Sequence, residues 1–120
     1  DNEVAFYSEG KELACSQGKN NYVLKDKTHD GYMMADGYFV RDNHMSFTDD
    51  GKLMITDCYP YFDGFQKIML YSTERNICSH LGWFRPMPVD CVDVRCDLHP
   101  RWNRSYDSIT FLVYRFISLA

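Results

Sequence analysis

Five cysteines (Cys15, Cys58, Cys78, Cys91, Cys96) and four histidines (His29, His44, His80, His99) are the residues of this chain whose types suit metal binding, disulfide formation or acid–base work. Cys91-x4-Cys96-x2-His99 and Cys78-x-His80 bring sulfur and imidazole close together in sequence. Structural zinc sites, however, carry two tight ligand pairs on short knuckles, and the long intervals from Cys15 to Cys58 and from Cys58 to Cys78 are not knuckle spacings. No metal and no cofactor is expected, and disulfides are the better use of the sulfurs. Four paired cysteines allow three connectivities, and the odd fifth implies a partner outside the chain or a free thiol. The histidines are scattered among Asp and Ser and read as solvated or hydrogen-bonded surface groups. The chain has no Gly-x-Ser-x-Gly elbow, His-Glu-x-x-His, glycine-rich phosphate loop or Cys-x-x-Cys pair, so no enzyme is expected. Asp49-Asp50-Gly51 lacks the spaced carboxylates and closing Glu of a calcium loop and reads as a turn.

The elements that carry these residues are predicted to be strands. The 120 residues allow one ordinary domain, with 45% hydrophobic and 25% charged residues, and no apolar run spans a bilayer. A net charge of −4 without any block of Lys or Arg argues against nucleic acid as a partner, and none is expected. Val4–Tyr7 and Tyr22–Leu24 read as short strands. Two Asp-Gly turns bracket the apolar cluster between Asp30 and Arg41, consistent with a hairpin tip. Met45–Phe47 and Leu53–Ile55 flank Asp50-Gly51, the strongest hairpin cue in the chain. Ile68–Tyr71 is a further strand. Arg85-Pro86-Met87-Pro88 cannot be helical, so extended chain is predicted from Trp83 to Cys91. Residues 105–120 read as one long strand or two short ones, both faces partly apolar. No window beyond one or two turns repeats apolar residues at helical spacing, apart from the ambiguous C-terminal tail, and the predicted class is all-β.

The run Cys78-Ser79-His80-Leu81-Gly82-Trp83-Phe84-Arg85-Pro86-Met87-Pro88-Val89-Asp90-Cys91 resembles the end of a complement control protein (CCP, or sushi) module. That family closes its modules with a third cysteine, Gly-Trp, one or two prolines and a fourth cysteine. The resemblance implies a small disulfide-stapled module with Cys15–Cys78 and Cys58–Cys91 pairing and Trp83 packed in the core between the bridges. It also implies an N-terminal strand segment over residues 1–14, an expanded module over 15–91, and a linker plus β segment over 92–120 that starts a further module or closes this one. Further CCP modules are then possible in a longer chain. The long interval from Cys15 to Cys58 gives the module an enlarged loop insertion, similar to secreted immunomodulators of parasitic roundworms: the TGF-β mimic and the alarmin release inhibitors, which target interleukin-33 or its receptor.

What the resemblance implies is a secreted glycoprotein that binds an extracellular protein, a host cytokine or cytokine receptor, to modulate immune signalling. The alternative is a complement-regulator or adhesion-receptor fragment without activity of its own. Tyr32, Met33, Met34, Tyr38, Phe39 and Arg41 are the expected contact residues, because aromatics, Met and Arg are enriched at interface centres and the segment is an insertion. Packing of the enlarged module is the competing use of the same side chains. Tyr59, Tyr61, Phe62 and Phe65 form a second aromatic patch. Asn103-Arg104-Ser105 is an N-glycosylation acceptor.

Overall fold

A computed structural model describes residues 3–7, 12–17, 20–35, 37–39, 41–86 and 96–113. Ten strands are described: β1 (Glu3–Tyr7), β2 (Glu12–Gln17), β3 (Asn20–Lys25), β4 (Gly31–Met34), β5 (Met45–Phe47), β6 (Leu53–Cys58), β7 (Gln66–Ser72), β8 (Ile77–Phe84), β9 (Arg101–Trp102) and β10 (Ile109–Thr110). The chain is all-β, without a helix among the described residues. Two antiparallel four-stranded meanders, β1-β2-β3-β4 and β5-β6-β7-β8, follow one another in the chain, and β9 and β10 form a small hairpin.

The turns follow from local chemistry. Between β5 and β6 the Gly51 N–H donates to the Thr48 carbonyl at 2.8 Å and the Thr48 N–H to the Leu53 carbonyl at 3.0 Å. Gly51 sits at φ +70°, which L side chains adopt reluctantly, so the Asp50-Gly51 cue forms the hairpin it predicts. Asp30-Gly31 works differently. Gly31 opens β4, and a Cβ there would collide with the Val23 carbonyl and the Leu24 side chain of β3, so its role is close strand approach.

Alternation along the second meander gives its sheet two apolar faces, each with a cover. On one face Met45, Phe47, Met54, Met69 and Tyr71 pack with Ala14, Val23 and Met34 of the first sheet and with Ala35 and Phe39 from the connection between the sheets. Four of the six methionines are buried here: Met34, Met45, Met54 and Met69. Their unbranched side chains suit an irregular seam between two sheets. On the other face Ile55 and Ile68 are covered by Leu98, with Trp102 and Ile109 alongside. The segment from 96 to 113 therefore packs onto the second sheet. The Trp102 indole N–H donates to the Ser46 carbonyl at 3.0 Å, and Arg101 donates to the Met45 carbonyl at 3.0 Å, which fastens the β9–β10 hairpin to β5.

Two sequence expectations need correction. The strand predicted over 105–120 is limited, in the described residues, to Ile109–Thr110, and residues 111–113 have no regular structure. Tyr106 and His99 both take positive φ, and such left-handed residues interrupt a strand. The extended run expected from Trp83 to Cys91 is strand to Phe84; residues 87–91 lie outside the described residues.

Candidate functional site

The implied staple is absent among the described residues: Cys58, Cys78 and Cys96 carry free thiols. Cys15 is placed as a backbone position within β2, opposite Val4 and Tyr22, and Cys91 lies outside the described residues. In place of a bridge, the Cys58 thiol is buried and hydrogen-bonded to the Tyr61 hydroxyl, whose ring lies over the Lys67 ammonium at 4.0 Å. Burial, the largest cause, pushes the Cys58 thiol up to about 11; Tyr61 and the Lys67 backbone oppose it weakly. Burial likewise raises the Tyr61 phenol above its usual range. Because Cys58 holds its proton more tightly folded than unfolded, the stability linked to it is present below about pH 9 and is lost as pH rises toward 11; for Tyr61, raised from 10.0, the loss begins only above about pH 10. At pH 8 only about one Cys58 in a thousand is thiolate, against roughly one in ten for a thiol at 9.0. Alkylation of native protein at pH 8 should therefore modify Cys58 about 100-fold more slowly than alkylation in urea, read by peptide mass spectrometry. A Cys58 that resists alkylation in urea until reduced would restore the disulfide.

Trp83 departs most clearly from its expected role. It is 54% exposed on β8, not buried between bridges. Its partner across β7 is Lys67, the first sheet's apolar residues cover the Met54–Tyr71 region instead, and its described ring contact is with exposed His80 at 5.6 Å, edge-on. β8 is an edge strand of eight residues that also exposes Ile77 (51%) and Leu81 (52%). A bulge between Ile68 and Met69 shifts its register, which places Leu81 outside the pairing and turns it outward.

The expected contact cluster divides between surface and core. Tyr32, Met33, Tyr38 and Arg41 are exposed, whereas Met34 and Phe39 are buried core residues, Phe39 edge-on to Tyr71 at 6.1 Å. Met33 and Met34 occupy opposite faces of β4, with Met34 at the buried end of the strand, whereas Phe39 is buried in the connection that follows it. The exposed part reaches β8, because the Tyr38 hydroxyl donates to the Asn76 carbonyl at 2.8 Å, one residue before Ile77. Arg41 lies 5.2 Å over the ring of Phe62, which at 96% is the most exposed large apolar residue among the described residues, and so connects the first aromatic cluster to the second. Beside β8 an open groove of about 760 Å³ has Leu53, Leu70 and Ile77 on its floor and the Lys52–Glu74 ion pair, 3.1 Å, at its rim. Tyr106 closes one end through a hydrogen bond to Asp49, which raises its phenol.

No protein-family model, curated protein or solved structure matches the chain. Its function therefore rests on the geometry of its own surface and clusters. Asn103, the acceptor asparagine, begins the turn between β9 and β10: its Oδ1 accepts from the Asp107 and Ser108 N–H groups and its Nδ2 donates to Asp107 at 2.6 Å. No helix among the described residues is long and apolar enough to cross a membrane.

One cluster is not legible as a site in sequence. His44, read as a surface histidine, is 6% exposed, and its Nδ1–H donates to the carboxylate of Asp57, 2.9 Å from both oxygens; Asp57 is 1% exposed. The same carboxylate accepts the backbone N–H of His44 at 2.8 Å and that of His99 at 2.9 Å. The two imidazoles stack with centroids 3.7 Å apart. An aspartate beside Thr56 in a strand whose other residues are apolar, Leu53-Met54-Ile55-Thr56-Asp57-Cys58, is the sequence signal of this arrangement.

Proposed function

We propose that this chain is a secreted protein-binding module without chemistry of its own, and that the edge strand β8, with the groove beside it, is its contact surface. The observation that carries the reading is the exposure of Ile77, Leu81 and Trp83 along an edge that no described strand pairs with. Soluble proteins blunt a long apolar edge with charge, proline or a covering segment, because its free N–H and C=O groups recruit other strands. Here the described edge carries no Lys, Arg, Asp or Glu from Ile77 to Phe84. An extended segment of a partner would add as a further strand, with its side chains meeting Trp83 on one side and the groove on the other. Aromatic anchors beside a groove with a charged rim are what binding centres use, and the net charge of −4 steers cationic partners toward the chain.

The narrower proposal, that the partner is a cytokine or cytokine receptor, is supported by the sushi-like spacing of residues 78–91. The test is a photo-crosslinking residue at Leu81, which the bulge turns outward, presented to a panel of cytokines and receptor ectodomains. Crosslinking of a member of that panel, competed away by unlabelled chain, is the expected result. A bound partner that never crosslinks from Leu81 would remove β8 as the contact surface.

A further inference from the structure

We propose that His44, His99 and Asp97 form a binding site for a first-row divalent cation, with Zn²⁺ the best fit. One ligand atom from each of the three residues lies within 4.8 Å of the others. Tetrahedral zinc with bonds of about 2.0–2.1 Å places its ligands roughly 3.3 Å apart, so closure around an ion takes shifts of the order of 1 Å. Two imidazoles and a carboxylate are borderline donors that suit zinc and its first-row neighbours better than calcium or magnesium, which take oxygen alone. Three protein ligands leave one position for water or for a partner's side chain.

The surroundings are arranged as they are around bound histidine ligands. Asp57 engages Nδ1 of His44, so the nitrogen that His44 offers to an ion is Nε2, and the ring orientation is set before any ion arrives. Gln66, 2% exposed, directs its Nε2 toward the Asp97 carboxylate at 3.4 Å and donates to the Cys96 carbonyl at 3.2 Å, which holds the segment carrying Asp97 against β7.

His99 adds an independent observation. It is a non-glycine residue at φ +45°, and it precedes Pro100, where the chain is further restricted. Such a conformation persists only where its surroundings hold it, and here the His99 N–H is held by Asp57. The strained turn keeps the His99 ring stacked on His44 and close to Asp97. A cation bound there would tie the segment from 96 to 100 to His44, the residue just before β5, through side chains, in addition to the apolar contact of Leu98. That tie is separate from the β8 surface, so its failure would leave the binding proposal standing.

The experiment is a calorimetric titration of chelator-treated full chain with ZnCl₂, repeated with Co²⁺ as a spectroscopic probe. Expected are one ion per chain, a rise in Tm on addition, and cobalt d–d bands of tetrahedral nitrogen and oxygen ligation. His99→Ala keeps the backbone N–H that Asp57 accepts and should weaken zinc binding by about 100-fold or more, while Asp97→Asn should weaken it by at least about 10-fold. His80→Ala, which alters an exposed histidine outside the cluster, should bind as the parent does. No zinc binding in the micromolar range, equal binding by His99→Ala, or a thiolate-to-cobalt charge-transfer band would each overturn the site.

Discussion

Asp57→Ala should lose on the order of 3–5 kcal/mol of folding stability. One carboxylate, 1% exposed, accepts the backbone N–H groups of His44 and His99 and the His44 ring N–H. Truncation leaves these donors without their acceptor in a region water does not reach, and a buried donor without an acceptor costs roughly 1–3 kcal/mol. It also releases the turn that seats Leu98 on Ile55 and Ile68. Against a total stability of typically 5–15 kcal/mol, such a loss brings a domain of this size near its unfolding midpoint. Urea unfolding followed by tryptophan fluorescence measures it. Asp57→Asn, which keeps one acceptor oxygen, should fall between parent and alanine variant. A loss below about 1 kcal/mol for Asp57→Ala would mean that the carboxylate does not organise the two histidine segments.

Trp83→Ala should do the opposite: little to stability and much to binding. An aromatic residue buried between two bridges would cost about 3–5 kcal/mol on truncation to alanine. At 54% exposure, with Lys67 opposite and His80 at its edge, the expected cost is below about 1 kcal/mol. Binding to a partner seated on β8 should weaken by about 30-fold or more, the effect of losing a central aromatic anchor. The same variant thus separates two roles for one side chain. Severe destabilisation would return Trp83 to the core and favour the stapled module; normal folding with impaired binding would assign it to the contact surface.

The sequence made the second meander legible because its cues are local. Asp50-Gly51 forces a left-handed turn, and the flanking Met45–Phe47 and Leu53–Ile55 runs alternate with the period of a strand. In the 32–41 cluster period 2 separates only Met33 from Met34; Tyr32 is exposed although it shares Met34's face, and Phe39 is buried edge-on to Tyr71 beyond the end of β4, so the rest of the division depends on tertiary packing. Trp83 was not legible. Gly-Trp between two cysteines fits a core, and only the edge position of β8, with its bulge at Ile68 and Met69, turns the indole toward solvent.

The histidine cluster was illegible for a different reason. His44, Asp57 and His99 are far apart in sequence, and they meet only because β5 pairs with β6 and the segment after Cys96 folds back on the same sheet face. The spacing of cysteines and histidines pointed to sulfur instead, whereas the geometry gathers imidazole and carboxylate. A left-handed His99 ahead of Pro100 is a tertiary outcome that no local preference favours.

The most direct test of the central claim is surface plasmon resonance of the immobilised full chain against a panel of extracellular cytokines and receptor ectodomains, with Trp83→Ala on a parallel channel. A partner that binds the parent chain below about 1 μM and loses about 30-fold or more on the variant is the predicted result. Equal binding by the two chains, or no binding across the panel, would contradict a protein-binding role for β8.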